Sequence, residues 1–305
     1  MTISHLRPAA SSSPSPVPAW RLRCVLVALL LALAPAPRAL AQPAIATLDW
    51  TLAGTLVALG VTPAGVAQVD AYHAWVGTPR LPEVTADLGL RSQPNLELLA
   101  SLAPDRILIS PMFANLAPRL SRIAPVATLP LYSPGRETWP QLRELTREVG
   151  RLVEREAAAE RLIAETEARL AALRQRLPAR VPPLLVVQFM DERHVRVFGE
   201  GGLYQAVMVR LGLENAWHGE TNAWGFSLVG LEQLAGLEAQ LVVVEPYPVG
   251  VQAALAGSGL WQRQPSVRQG ALITLPPVWS FGALPSAMRF ADHLVAALEE
   301  APHDD

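Results

Sequence analysis

Residues 151–177 read RLVEREAAAERLIAETEARLAALRQRL, twenty-seven residues without a Gly or a Pro. Leu162, Thr166, Leu170, Leu173 and Leu177 fall on one face at helical spacing, and Arg161, Glu165 and Arg169 are placed for i,i+4 pairing. The stretch predicts one continuous helix reaching ~40 Å at 1.5 Å per residue, longer than a single small domain requires. A helical spacer joining two lobes fits that length, with a packed core helix as the competing reading. The predicted layout is an N-terminal α/β lobe over 42–150, the connecting helix over 151–180 and a C-terminal α/β lobe over 181–305.

The sequence on either side supports two lobes. Short apolar runs read as buried strands: ILIS (107–110), VATLPL (126–131), LLVVQF (184–189), LVVVEP (241–246) and ALITLP (271–276). Between them lie helical stretches such as PNLELLASLAP, APRLSRIAP and LYQAVMVRLGL. Strands alternating with helices predict parallel α/β sheets. An internal echo straddles the long helix: LELLASLAPDRILI (96–109) matches LEQLAGLEAQLVVV (231–244) at an offset of 135 residues, both entering an apolar strand. It predicts the same element at the same place in each lobe, although any two helix-then-strand units share some pattern. Two lobes on a spine leave a cleft, and small ligands favour such clefts.

The first forty-one residues are set apart from the fold. They lack any acid, carry Arg7, Arg21 and Arg23, then run CVLVALLLALA from Cys24 and reach the small-x-small triplet Ala39-Leu40-Ala41. The apolar run is too short to span a membrane, so the segment reads as an export signal, residues 1–41. Removing it takes away the single cysteine and four of the 25 basic residues, which leaves 21 against 27 acidic ones, a net charge of −6. The expected product is soluble and exported. It has no disulfide or thiolate metal site and no electrostatic case for binding nucleic acid or anionic membrane. All 25 basic residues are Arg, which we ascribe to coding bias.

Catalytic motifs are sparse. No G-x-S-x-G occurs, and GEGG (199–202) lacks the remainder of a phosphate loop and reads as a strand-to-helix turn. Asp191, Glu192 and His194 read as a solvated hairpin turn. His218 and Glu220 have H-x-E spacing, but no second cluster with ligand spacing accompanies them. The distinctive residues are aromatic. Trp50 closes a first strand, ATLDW; Trp75 lies in AYHAWVGTP; Trp217 and Trp224 flank HGETNA; Trp279 and Phe281 lie in PPVWSFG. Each is read either as a packing residue or as part of a ligand surface. A ligand covering ~80 Å² on each of four rings would gain about 8 kcal/mol before association costs.

AYHAWVGTPRLPEVTADLGLRSQPNLELL, NAWHGETNAWG and VWSFGALPSAM closely resemble periplasmic hydroxamate-siderophore-binding proteins, the ferrichrome type, of ABC iron importers, with similarity from about Ala46 to Leu298. The resemblance implies two Rossmann-like α/β lobes joined by a long rigid helix, not an enzyme, with an aromatic cleft between the lobes. It implies a periplasmic monomer without a cofactor, whose ligand is a ferric siderophore with its iron already fully coordinated. It also implies that Arg91 donates to hydroxamate oxygens, that Trp50, Trp75, Trp224, Trp279 and Phe281 form walls, and that Asn222 is a polar contact.

Three positions depart from the family pattern. Phe113 and Phe281 stand where the family carries Tyr, and Arg196 stands where it carries an apolar pocket residue and would supply a replacement donor. Glu97 and Glu232, paired by the echo, are expected on the outer tip of each lobe as docking acids for arginines of the membrane permease; the alternative is two first-turn acids favoured by the helix dipole. Competing functions are the same fold holding another bulky chelate (a corrinoid, haem or catecholate siderophore) and an exported α/β hydrolase.

Overall fold

The computed structural model describes residues 43–300; the export signal expected at 1–41 lies outside the described residues. The first half supplies strands β1 (Ile45–Thr47), β2 (Gly65–Val66), β3 (Ala86–Asp87), β4 (Gly89–Leu90), β5 (Gln93–Pro94), β6 (Arg106–Ile109) and β7 (Val126–Thr128). Its helices are α1 (Trp50–Ala58), α2 (Val69–Val76), α3 (Leu96–Ser101), α4 (Ala117–Leu120) and α5 (Thr138–Leu152). After α6 (Glu156–Arg176) come β8 (Leu184–Phe189), β9 (His194–Phe198), α7 (Leu203–Leu211), β10 (Phe226–Gly230) and β11 (Gln240–Val244). Three short helices, α8 (Val251–Ala256), α9 (Gly259–Gln262) and α10 (Pro265–Arg268), precede β12 (Ile273–Leu275) and the closing α11 (Leu284–Glu300).

Each half forms a five-stranded sheet, ordered β3-β2-β1-β6-β7 and β10-β9-β8-β11-β12. The first is wholly parallel. The second is parallel across β8, β11 and β12, while β9 runs antiparallel to β8 and β10. Burial on both faces explains why these strands read as unbroken apolar runs. Along β8, Leu184 and Val186 join one core and Leu185 and Val187 another; Val242 and Val244 of β11 alternate with Val243 in the same way. In β6, Leu108 faces the first of these cores while Ile107 and Ile109 face a third. The fold is therefore two α/β lobes, as the strand–helix alternation predicts.

The echoed segments occupy equivalent places, since β6 sits between β1 and β7 as β11 sits between β8 and β12. The 135-residue offset holds in the turn preceding each strand but slips by one within it. Leu108 and Val242, which share a core, are 134 apart, and a one-residue slip exchanges the faces of a strand. The turn itself is α-helical in the first lobe and a 3₁₀ turn, Leu231–Leu234, in the second.

The predicted long helix is interrupted. Residues 151–152 end α5, and α6 begins at Glu156. The break places Glu154 at φ 55°, and the Arg155 amide donates to the Gly150 carbonyl. Gly150 lies so close to the next helix that a Cβ there would be 2.7 Å from Ala159 Cβ. The chain thus turns from α5 into α6 at a close helix crossing. The buried face of α6 is Ala159, Leu162, Ile163, Thr166, Leu170 and Leu173, so this helix both connects the halves and packs into the shared core. The expected Arg161–Glu165–Arg169 pairing does not form among the described residues. Arg169 instead reaches Asp292 of α11, and Arg143 and Arg147 of α5 reach Glu167 and Glu160 of α6.

One core runs through both lobes, from Ile45, Leu52 and Leu108 to Leu184, Val242 and Leu294. Hydrogen bonds reinforce it. Tyr132 Oη donates to the Gly282 carbonyl, Thr51 Oγ1 to that of Phe281, and Thr138 Oγ1 to that of Gly201. The segment after β12 is thereby tied to the opposite lobe.

Candidate ligand-binding cleft

Arg91 and Ser92 form the two-residue tip of the β4–β5 hairpin, where Leu90 pairs with Gln93. From this tip the Arg91 side chain lies inward. Its Nε donates to the Leu48 carbonyl at 3.1 Å, and its guanidinium carbon lies 4.6 Å from the Trp50 ring centre, 5.0 Å from Phe113 and 5.8 Å from Trp279. Three ring faces fix the guanidinium plane by cation–π attraction. Burial lowers the Arg91 pKa, with nearby Asp49 acting in the opposite direction; Arg remains cationic at neutral pH.

Trp50 does not close a strand. β1 ends at Thr47, and the Asp49 carboxylate caps α1 by accepting the Thr51 and Leu52 amides, which makes Trp50 the first helical residue. Its indole donates to the Ala67 carbonyl at 2.9 Å. Trp279 meets it edge-on at 5.0 Å and meets Phe281 at 5.1 Å; Phe281 in turn meets Trp224 at 5.5 Å, and Trp224 meets Tyr132 at 6.0 Å. The result is a continuous aromatic band crossing from one lobe to the other and back.

Beside the middle of the band stands Arg196, at the centre of β9. Its neighbours Val195 and Val197 face the core of the second lobe, so Arg196 projects from the opposite face. Its guanidinium carbon lies 5.0 Å from the Phe226 ring centre and 5.4 Å from Phe281. Burial lowers its pKa too.

These residues surround a cavity of about 620 Å³, within the usual range for small-molecule sites. Trp50, Trp75, Arg91, Arg196, Trp224, Trp279 and Phe281 all line it. Sequence reasoning did not anticipate the loop Leu129–Pro134, the rim methionines Met112 and Met190, or Asp49. Tyr132 of that loop has φ 58° and is buried; burial drives its phenol pKa up.

Two expected contacts are not brought to the cavity wall. Phe113 is buried in the core behind β6 and serves as a platform under Arg91. Asn222 turns its side-chain oxygen toward its own loop, accepting the Trp224 amide at 2.9 Å and the Phe226 amide at 3.4 Å; Ala223 lines the cavity instead. That loop closes on Gly225, at φ 72°, where a Cβ would be 2.0 Å from the Gly202 nitrogen. Only glycine allows GEGG and the Trp224 turn to pack together. Trp217 lies away from the cleft, against the second lobe's core. His218 and Glu220 are exposed, and no group of three or more His, Cys, Asp or Glu positioned for a metal exists among the described residues. Glu97 and Glu232 are exposed in the echoed turns, outside the cavity lining.

Two α/β lobes sharing a core, with an aromatic cleft and two arginines between them, define a bilobal small-ligand-binding protein. The chain belongs to the periplasmic binding protein family, which it matches over residues 45–278. It is 36% identical over 248 residues to the iron(3+)-hydroxamate-binding protein FhuD of Escherichia coli K12, covering 81% of this chain and 83% of that protein. It is 30% identical over 201 residues to the achromobactin-binding periplasmic protein of Dickeya dadantii, covering 58% and 61%. The crystal structure of the siderophore-binding protein FhuD of Vibrio cholerae bound to Fe3+-Desferal superposes with a TM-score of 0.81 at 28% identity, covering 86% of this chain and 100% of that one. The family comprises substrate-binding proteins, not enzymes. No helix among the described residues is long and apolar enough to cross a membrane.

Proposed function

We propose that the protein captures a ferric hydroxamate-type siderophore in the periplasm and delivers it to an ABC permease, acting as an exported monomer whose signal is residues 1–41. The observation that carries this reading is Arg91, whose guanidinium carbon lies 4.6 Å from the Trp50 ring centre and 5.8 Å from that of Trp279 in the lining of a largely apolar cavity. A ferric tris-hydroxamate presents closely spaced, partly negative oxygens around an iron that is already six-coordinate. Such cargo needs donors and apolar walls from the protein rather than metal ligands. A guanidinium donates to paired oxygens through parallel N–H groups, in charge-assisted hydrogen bonds roughly twice as strong as neutral ones. The relative named as an iron(3+)-hydroxamate-binding protein supports the same ligand class. In this reading Glu97 and Glu232, one per lobe, meet arginines on the permease.

Titrating the protein with ferrichrome and following tryptophan emission tests the ligand. Four tryptophans line the cavity, so saturable quenching with a micromolar or tighter Kd is expected. Haem and a corrinoid serve as controls. Saturable binding of either of these, with none of any ferric siderophore, would replace the reading with another bulky chelate.

A further inference from the structure

The cleft carries charge that its own residues do not neutralise. Arg91 and Arg196 line it from different lobes, and among the described residues the only acid in the lining is Asp49, giving two cationic groups against one carboxylate. Asp49 caps α1 through Oδ1, which accepts the Thr51 and Leu52 amides, and its charge acts on Arg91, so the excess cation is the one on Arg196. Neither arginine forms an ion pair among the described residues.

Their donors are similarly unspent. Arg91 uses Nε on Leu48, and neither of its terminal nitrogens has an acceptor among the described residues. Arg196 has no hydrogen-bond acceptor there at all. Both side chains are half-buried, and both are stacked on rings that restrict their motion. A ligand that fills this space takes water from each guanidinium. Leaving a desolvated charge without a counter-charge is costly, whereas an anionic group in its place forms charge-assisted hydrogen bonds. The placement of one such cation in each lobe fixes the demand: anionic character on the ligand where it meets each arginine.

Building on the siderophore reading, we propose that the preferred ligand is a ferric chelate with net negative charge, of the mixed hydroxamate–carboxylate class, with Arg91 on the iron-bound oxygens and Arg196 on a carboxylate of the same ligand. Arg196 is the specificity-determining residue in this arrangement. A neutral or cationic tris-hydroxamate of similar size enters the same cavity but leaves Arg196 uncompensated.

The test is a quenching titration with three ferric complexes of graded charge: ferrioxamine B (cationic), ferrichrome (neutral) and a citrate–dihydroxamate complex (anionic at neutral pH). The anionic complex is expected to bind at least tenfold tighter than the neutral one at low ionic strength, with the ratio shrinking in 0.5 M NaCl. In Arg196→Gln that ratio falls toward one. In Arg196→Lys, which keeps the charge and guards against a folding artefact in the first variant, a preference persists. Equal affinity for all three complexes, or a preference unchanged in Arg196→Gln, overturns the proposal while leaving the siderophore reading intact. Failure of all three to bind overturns both.

Discussion

Arg91 meets several demands with one side chain. Its Nε anchors to the Leu48 carbonyl, its guanidinium carbon lies 4.6–5.8 Å from the Trp50, Phe113 and Trp279 ring centres, and its terminal nitrogens have no acceptor among the described residues. A ligand therefore meets a donor pair that is already oriented, and little side-chain entropy remains to be lost on binding. Each charge-assisted hydrogen bond contributes about 1.5–3 kcal/mol, so Arg91→Ala is expected to weaken ferric-siderophore binding at least tenfold. Arg91→Lys keeps the charge but loses the planar fork and should fall between the two. Isothermal titration of the three proteins with one ferric siderophore checks the order, and wild-type affinity in Arg91→Ala would remove Arg91 from the site. Arg91 was legible in the sequence only through its surrounding motif, because an arginine four residues before a helix cap gives no hint by itself that it turns inward. Phe113 shows the converse: its place in the family pattern suggested a ligand contact, and in the fold its buried ring lies 5.0 Å from the Arg91 guanidinium carbon.

At the scale of elements, the strands were the most readable feature because each lies in a short, mostly apolar run. β8 occupies the predicted residues 184–189, and the other predicted runs contain β6, β7, β11 and β12 to within a residue or two. The break between α5 and α6 was hidden because residues 151–177 contain no Gly or Pro. What sets it is the close approach of Gly150 to Ala159, a contact between two helices that no local pattern announces. The echo was legible in the turns and misleading by one residue in the strands. Its physical content is therefore the exposed turn before the central strand of each sheet, and Glu97 and Glu232 belong to those turns. If they dock the permease, replacing both with Ala leaves the ligand Kd within about twofold, since exposed charges far from a site change affinity little. The same change should sharply reduce siderophore-dependent uptake by whole cells. Normal uptake by the double variant would reduce them to first-turn acids serving only their own helical turns.

The molecule as a whole is built to move little. Its largest core passes through both lobes, and the segment carrying Trp279 and Phe281 is held by Tyr132 and Thr51 from the other side of the cleft. Trp279 Nε1 adds a bond to Thr51 Oγ1 at 3.1 Å, and Arg289 links the Pro277 carbonyl to Thr78. These contacts join residues as far as 230 positions apart, which is why the Leu129–Pro134 wall escaped a reading based on local spacing. A hinge that opened the cleft widely would have to break the shared core and these bonds together. A folded chain of 305 residues has a radius of gyration of about 19 Å, and pre-organised binding of this kind should change it by less than roughly 0.5 Å. Small-angle scattering with and without ferric siderophore measures this, and a contraction well beyond that value would show a hinge closure instead. The bond from Tyr132 to Gly282 offers a second check on the same idea. Tyr132→Phe leaves the buried Gly282 carbonyl unpaired, at a cost of about 1–3 kcal/mol, and so lowers the melting temperature by several degrees. Because that bond also positions the segment bearing Trp279 and Phe281, the affinity should fall along with the stability. Loss of stability with undiminished affinity would mean that the aromatic band holds its geometry without the interlobe tie.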